Sequence, residues 1–164
     1  GPFKDDAFHG DGVLRIDDRV YECEFICGCM QNKGTLKFDN GDEYKGSFRN
    51  FERSGLGKLI TADGNRYQGH WRDDAKNGEG TQYFQSGDVY KGHWQGNKRV
   101  GKGRIVYNNG DAYVGNWYDD KRHGHGRFVS ANGDVFVGNW HADSREGRGN
   151  QEMSDMINSA QICQ

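Results

Sequence analysis

Six aromatic residues, Tyr21, Tyr44, Tyr67, Tyr90, Tyr113 and Phe136, stand 23 residues apart with no slip in register. A fixed period of this length marks a repeat architecture, in which each unit buries its apolar face only by stacking on its neighbours. With the aromatic as position 1, position 3 is Gly46, Gly69, Gly92, Gly115 and Gly138, and position 5 is Phe25, Phe48, Trp71, Trp94, Trp117 and Trp140. Positions 12, 14 and 21 are glycine in nearly every unit, so one rule accounts for all four tryptophans and most of the 26 glycines.

Each unit reads as two strands. Positions 1 to 6, as in YKGSFR or YVGNWY, place the aromatics and the glycine on one face of an extended strand and polar residues on the other. Positions 13 to 18 form the return strand. Segments such as DNGD, ADGN and NNGD join it to the next unit, and Asn-Gly or Asp-Gly between strands is a strong hairpin signal. A looser turn over positions 7 to 11 makes the other connection. The expected fold is all-β: an elongated, single-layer, twisted antiparallel β-meander of 23-residue hairpin repeats. Its core is the aromatic row Tyr44, Phe48, Tyr67, Trp71, Tyr90, Trp94, Tyr113, Trp117, Phe136 and Trp140, with rings lying in the space that glycine leaves.

Composition fits this picture. Only 33% of the 164 residues are hydrophobic, too few for a thick two-layer core, while 13% aromatic content argues against disorder. The net charge of −2 gives no global pull toward nucleic acid or anionic membrane, so any basic site is local. No apolar run approaches the roughly 18 residues of a membrane helix. Four cysteines without a regular framework suit a reducing compartment. Gly1-Pro2 reads as a tag remnant, which would make the chain a fragment of a longer protein.

The best-kept unit, YVGNWYDDKRHGHG at 113–126, closely resembles the MORN repeat (membrane occupation and recognition nexus). The resemblance covers residues 3–149 in about seven full or partial copies, with units starting at 21, 44, 67, 90, 113 and 136. It implies twisted arrays of β-hairpins of the kind found in cytoskeletal scaffolds, in proteins bridging membranes, and as accessory modules on enzymes. The expectation is therefore a non-catalytic scaffold or protein-interaction module, cytoplasmic and cytoskeleton-associated, that pairs with itself as a homodimer and presents its aromatic face and charged margins to cytoskeletal proteins. A phosphoinositide or membrane-surface targeting module and an accessory domain of a larger enzyme are the alternatives.

Candidate sites are few. The paired glycines of GKG and GHG lack the spacing and the following helix of a phosphate loop. His70 and His93 occupy position 4 of successive units, about 9–10 Å apart, too far to share one zinc. Lys98, Arg99, Lys102, Lys121, Arg122 and Arg127 gather along one margin as a contact for an anion, a lipid headgroup or a protein partner. Acidic residues such as Asp42, Asp88 and Asp111 line the other margin. Asp73, Asp74, Asp119 and Asp120 sit beside the basic residues and blunt their potential. In the worn copy YECEFICGCMQNKG, Cys27 and Cys29 converge across the bend in one reading, with His9 as a third ligand to zinc, the one cofactor the sequence offers. In the other, cysteine merely fills a turn. After Gly149 the pattern stops, and residues 150–164 either form a short capping helix or fray. No catalytic constellation stands outside the repeat.

Overall fold

The computed structural model describes residues 3–4, 7–8, 10–26 and 29–145. A short hairpin, β1 (Phe3–Lys4) and β2 (Ala7–Phe8), precedes one antiparallel sheet of thirteen strands. These are β3 (Gly10–Ile16), β4 (Arg19–Ile26), β5 (Cys29–Phe38), β6 (Glu43–Arg49), β7 (Glu52–Ile60), β8 (Arg66–Arg72), β9 (Ala75–Tyr83), β10 (Val89–Gln95), β11 (Lys98–Val106), β12 (Ala112–Tyr118), β13 (Lys121–Val129), β14 (Val135–His141) and β15 (Ser144–Arg145). Their spatial order is their chain order, so every connection within the sheet is a hairpin. Thirteen strands at about 4.8 Å spacing make a sheet about 60 Å long. The described residues contain no helix, and no second layer covers either face.

A single layer acquires a core because glycine faces glycine. Gly34 pairs with Gly46, Gly46 with Gly57, Gly57 with Gly69, and the row continues to Gly126 against Gly138. Tyr44, Tyr67, Tyr90 and Tyr113 lie over this row. They donate their hydroxyls to the carbonyls of Ser47, His70, His93 and Asn116 at 2.7–3.0 Å. A Cβ on Gly80 would stand 2.0 Å from the Tyr67 hydroxyl oxygen, so glycine is required there by close approach.

Trp71, Trp94 and Trp117 each donate Nε1 to the glycine carbonyl fourteen residues earlier at 3.1–3.2 Å, binding each unit to the one before. Tyrosine and tryptophan then alternate edge to face from Tyr44 to Trp140, with ring centroids 5.1–5.4 Å apart. Such contacts contribute about 0.5–1.5 kcal/mol each beyond burial. All ten aromatics predicted for this row are at most 6% exposed. They are interior rather than contact surface.

The turns differ from expectation. Positions 7 and 8 form the tight two-residue hairpin, both residues being left-handed: φ is 49° and 67° at Asp73 and Asp74, and 52° and 69° at Asp119 and Asp120. Aspartate and asparagine tolerate this region and do here what Asn-Gly was expected to do elsewhere. The return strand therefore starts at position 9, and a bulge opposite positions 3 to 5 absorbs the extra residue, as between Gly92 and Trp94. The Asn-Gly segments instead make the longer turns, as where the Gly110 N–H bonds the Tyr107 carbonyl and the Tyr107 N–H bonds the Asp111 carbonyl. Residues 150–164, with the predicted capping helix, lie outside the described residues, as do Gly1 and Pro2.

Candidate functional site

Over the aromatic row sits a further tier of side chains that links neighbouring units. Position 10 is arginine in four units, and in three of them, at Arg53, Arg99 and Arg122, the guanidinium stacks 4.5–4.6 Å over the tryptophan of the following unit. The same arginine clasps the aspartate at position 8 of that unit. Arg53 donates Nε to Asp74 Oδ1 at 2.7 Å and Nη2 to the Asp74 carbonyl at 2.9 Å, while its backbone N–H also reaches Oδ1. Arg99 with Asp120 and Arg122 with Asp143 repeat this pattern.

The arginine side chains are only 13–18% exposed. Asp74 also receives Arg19 at 3.0 Å. Burial pushes the Asp74 carboxyl up, but the hydrogen bonds and charges of Arg53 and Arg19 outweigh it and hold the group below the usual carboxylate range. On the opposite margin Asp42, Asn65, Asp88 and Asp111 accept the backbone N–H twenty residues on, latching adjacent long turns together.

These contacts change the meaning of the predicted basic margin. Arg99 and Arg122 are held by internal partners, and Lys98 pairs with Asp119 at 2.6 Å. Lys121 is exposed beside Asp119. Lys102 and Arg127 belong to another surface altogether, the face opposite the aromatics.

That face is a concave trough, described by two adjoining hollows of about 630 and 490 Å³ that share Glu79 and Lys91. Its floor is the row of glycine pairs, including Gly57, Gly69, Gly80, Gly92, Gly103 and Gly115. Lys45, Lys58, Lys91, Lys102, Arg104 and Arg127 line it, and the acid within it, Glu79, bonds His93 at 2.8 Å. Apolar side chains are interspersed: Leu56 is 62% exposed, Val114 49% and Val137 46%. Sequence reasoning missed Lys45, Lys58 and Lys91. The signal was their place at positions 2 and 15, next to the glycines at positions 3 and 14, which strand alternation puts on the side away from the rings.

Two units depart from the arginine–aspartate rule: the unit starting at 21 carries Met30 at position 10, with Phe51 at position 8 of the next unit, and the unit starting at 67 carries Lys76. The Lys76 amine lies 5.0 Å from the Tyr67 ring centroid, 4.8 Å from that of Trp94, and 2.8 Å from Gln82 Oε1. Burial lowers its pKa to about 8. Gln82 is itself only 4% exposed, at a position held by Leu36, Leu59, Ile105 and Phe128 in the other units.

Cys23 fills a glycine slot opposite Gly34 and is a free thiol whose pKa burial pushes up, so it is a poor metal ligand. His9, Cys27 and the Cys29 side chain, the proposed zinc ligands, lie outside the described residues. Among the described residues no three His, Cys, Asp or Glu side chains form a metal-binding group.

A family model described as MORN repeat matches four consecutive segments, residues 44–66, 67–89, 90–112 and 113–135, in register with the units above. No curated protein matches the chain. Among solved structures, one similar chain is the SAS-4 (dCPAP) TCP domain of Drosophila melanogaster, solved in complex with a proline-rich motif of Ana2 (dSTIL). It is 12% identical with a TM-score of 0.43, over 79% of this chain and 83% of that one.

Proposed function

The chain belongs to the MORN repeat family, and from that premise we propose that it is a non-catalytic interaction module whose trough receives an acidic, partly apolar segment of a protein partner in a cytoskeletal assembly. The observation that carries this reading is the trough, which no described residue covers. Its cations are spread along the array with aliphatic side chains between them, and a backbone floor bare of side chains lets a chain approach closely. Its concavity suits a polypeptide segment better than the flat surface of a bilayer. Titration calorimetry with a peptide alternating glutamate and leucine tests it: binding weakens with salt and is lost in the triple variant Lys102→Gln, Arg104→Gln, Arg127→Gln. Binding that ignores both salt and this variant removes the trough from consideration.

Self-association is the second part of the proposal, supported by the acidic margin of the long turns, which an antiparallel partner would set against exposed cations such as Lys121 that the other margin holds beyond its aspartate pairs. Sedimentation at tens of micromolar that finds only monomer ends it. Anionic phospholipid is the competing partner. Vesicles containing phosphoinositide should then pull the protein down at low salt, even though two of the margin's arginines are already committed to aspartates.

A further inference from the structure

Five departures from the repeat meet at one place. Lys76 stands where the other paired units carry arginine, Asn97 where they carry Asp74, Asp120 and Asp143, and Gly96 where two units carry Asp73 and Asp119. Gln82 replaces an apolar residue. Thr61 replaces the aromatic of the preceding unit that Arg53, Arg99 and Arg122 touch as Phe38, Phe84 and Tyr107. The backbone half of the clamp survives intact: the Lys76 N–H donates to Asn97 Oδ1 at 2.9 Å and the Asn97 N–H to the Lys76 carbonyl at 3.1 Å. Only the negative charge is gone, along with the aromatic lid and the side chain at Gly96, where an added Cβ would meet nothing within 4 Å.

We propose that the Lys76–Asn97 turn is a seat for a carboxylate side chain from an acidic protein partner, which supplies the charge that the chain's own aspartate supplies in the other units. Lys76 has an aromatic wall on two sides and one neutral acceptor in Gln82, leaving donor capacity for a further oxygen. Asn97, exposed at the turn, adds an amide donor. The charges that act on the amine are Asp120, which favours the ammonium, and Arg53 and Arg99, which oppose it. Arg53 and Arg99 are each clasped by their own aspartate, which leaves Lys76 as the cation of this tier without an internal carboxylate. This seat is on the face opposite the trough and independent of it.

Binding at this seat takes up a proton when Lys76 is neutral, so affinity falls about tenfold between pH 7 and pH 9, following the charged fraction of an amine that titrates near 8. The test follows Lys76 alone: amine acylation against pH, read at the Lys76 peptide by mass spectrometry, with and without a glutamate-rich peptide. The expected result is that the peptide slows labelling and raises the titration midpoint. The double variant Lys76→Arg, Asn97→Asp, which rebuilds the internal pair, should lose the pH-dependent part of peptide binding while keeping the fold. A Lys76 midpoint unmoved by peptide overturns the proposal, as does pH dependence that persists in the double variant. Acetate at equal carboxylate concentration giving the same shift overturns the assignment to a protein partner. The trough triple variant separates the two sites: a Lys76 shift that survives it belongs to the seat, and one that vanishes with it belongs to the trough and refutes the seat.

Discussion

Replacing Gly80 by alanine should be among the most damaging single methyl additions in this protein. The new Cβ would lie 2.0 Å from the hydroxyl oxygen of Tyr67 and 2.4 Å from Cζ, so the ring must leave its bed. Its departure strands a residue that is 1% exposed, breaks the 2.9 Å bond to the His70 carbonyl, and opens the edge-to-face contacts with Trp71 and Trp94. Overpacking costs about 1–3 kcal/mol, the hydrogen bond about 1, and each of the two ring contacts about 0.5–1.5, for a loss of about 3–7 kcal/mol.

The control is Gly133→Ala, where a Cβ meets nothing within 4 Å and the only cost is backbone strain at φ +97°, about 1 kcal/mol. Urea titration followed by tryptophan fluorescence measures both, and near-ultraviolet circular dichroism reports the disturbed rings directly. Adding Tyr67→Leu to Gly80→Ala should recover part of the loss, because the methyl group then has nothing to displace, giving a coupling energy on the order of 1 kcal/mol or more. Equal costs for Gly80→Ala and Gly133→Ala, or strict additivity with Tyr67→Leu, would refute the idea that the glycine row exists to seat the tyrosines.

Asp74→Asn should cost about 2 kcal/mol, since Asp74 serves two arginines at 19% exposure, whereas Asp143→Asn, at 47% exposure with one arginine, should cost less than about 1. Because the folded pKa of Asp74 is depressed, its contribution is present above the unfolded value of about 3.9 and is lost as pH falls through the folded value; acid titration of the Asp74→Asn variant should lack that portion of the slope. In Lys76 it is the charged form that the fold disfavours. Its folded pKa lies below 10.5, so the folded chain holds fewer protons and stability rises from about pH 8 to about pH 10.5, by up to about 3 kcal/mol less the cation–π attraction of two rings. Lys76→Met should flatten this rise and stabilise the protein at neutral pH, as denaturant midpoints across the window would record. Arg99→Met should cost about 1–2 kcal/mol through the loss of its stacking on Trp117 and its bonds to Asp120, as measured by thermal unfolding.

The period, the strand parity and the aromatic core were readable in the sequence because each depends only on spacing. A residue at position 1 or 5 has its face decided by the alternation of a strand, whatever its neighbours do. The turns were harder, since Asp73-Asp74 reaches the left-handed region as Asn-Gly does, and spacing alone does not say which pair of residues takes the tighter bend. Side-chain pairing across units was harder still. Arg99 looked available for a partner because its aspartate lies 21 residues onward, and the flexible guanidinium chooses among neighbours that only the stacked sheet brings near. Lys45, Lys58 and Lys91 escaped notice for the converse reason: they lie far apart in the chain, and only the sheet collects them beside Lys102 and Arg127.

The meander also determines how the array answers force. Its strands run across the long axis, so tension applied between the two ends does not load many hydrogen bonds in parallel. It peels the outermost strand, then the next, each step breaking one hairpin with its tryptophan bond and its margin latch. The rod should resist bending across its stacked rings and yield to stretching in steps of one unit, behaviour suited to a spacer between partners rather than to a cable.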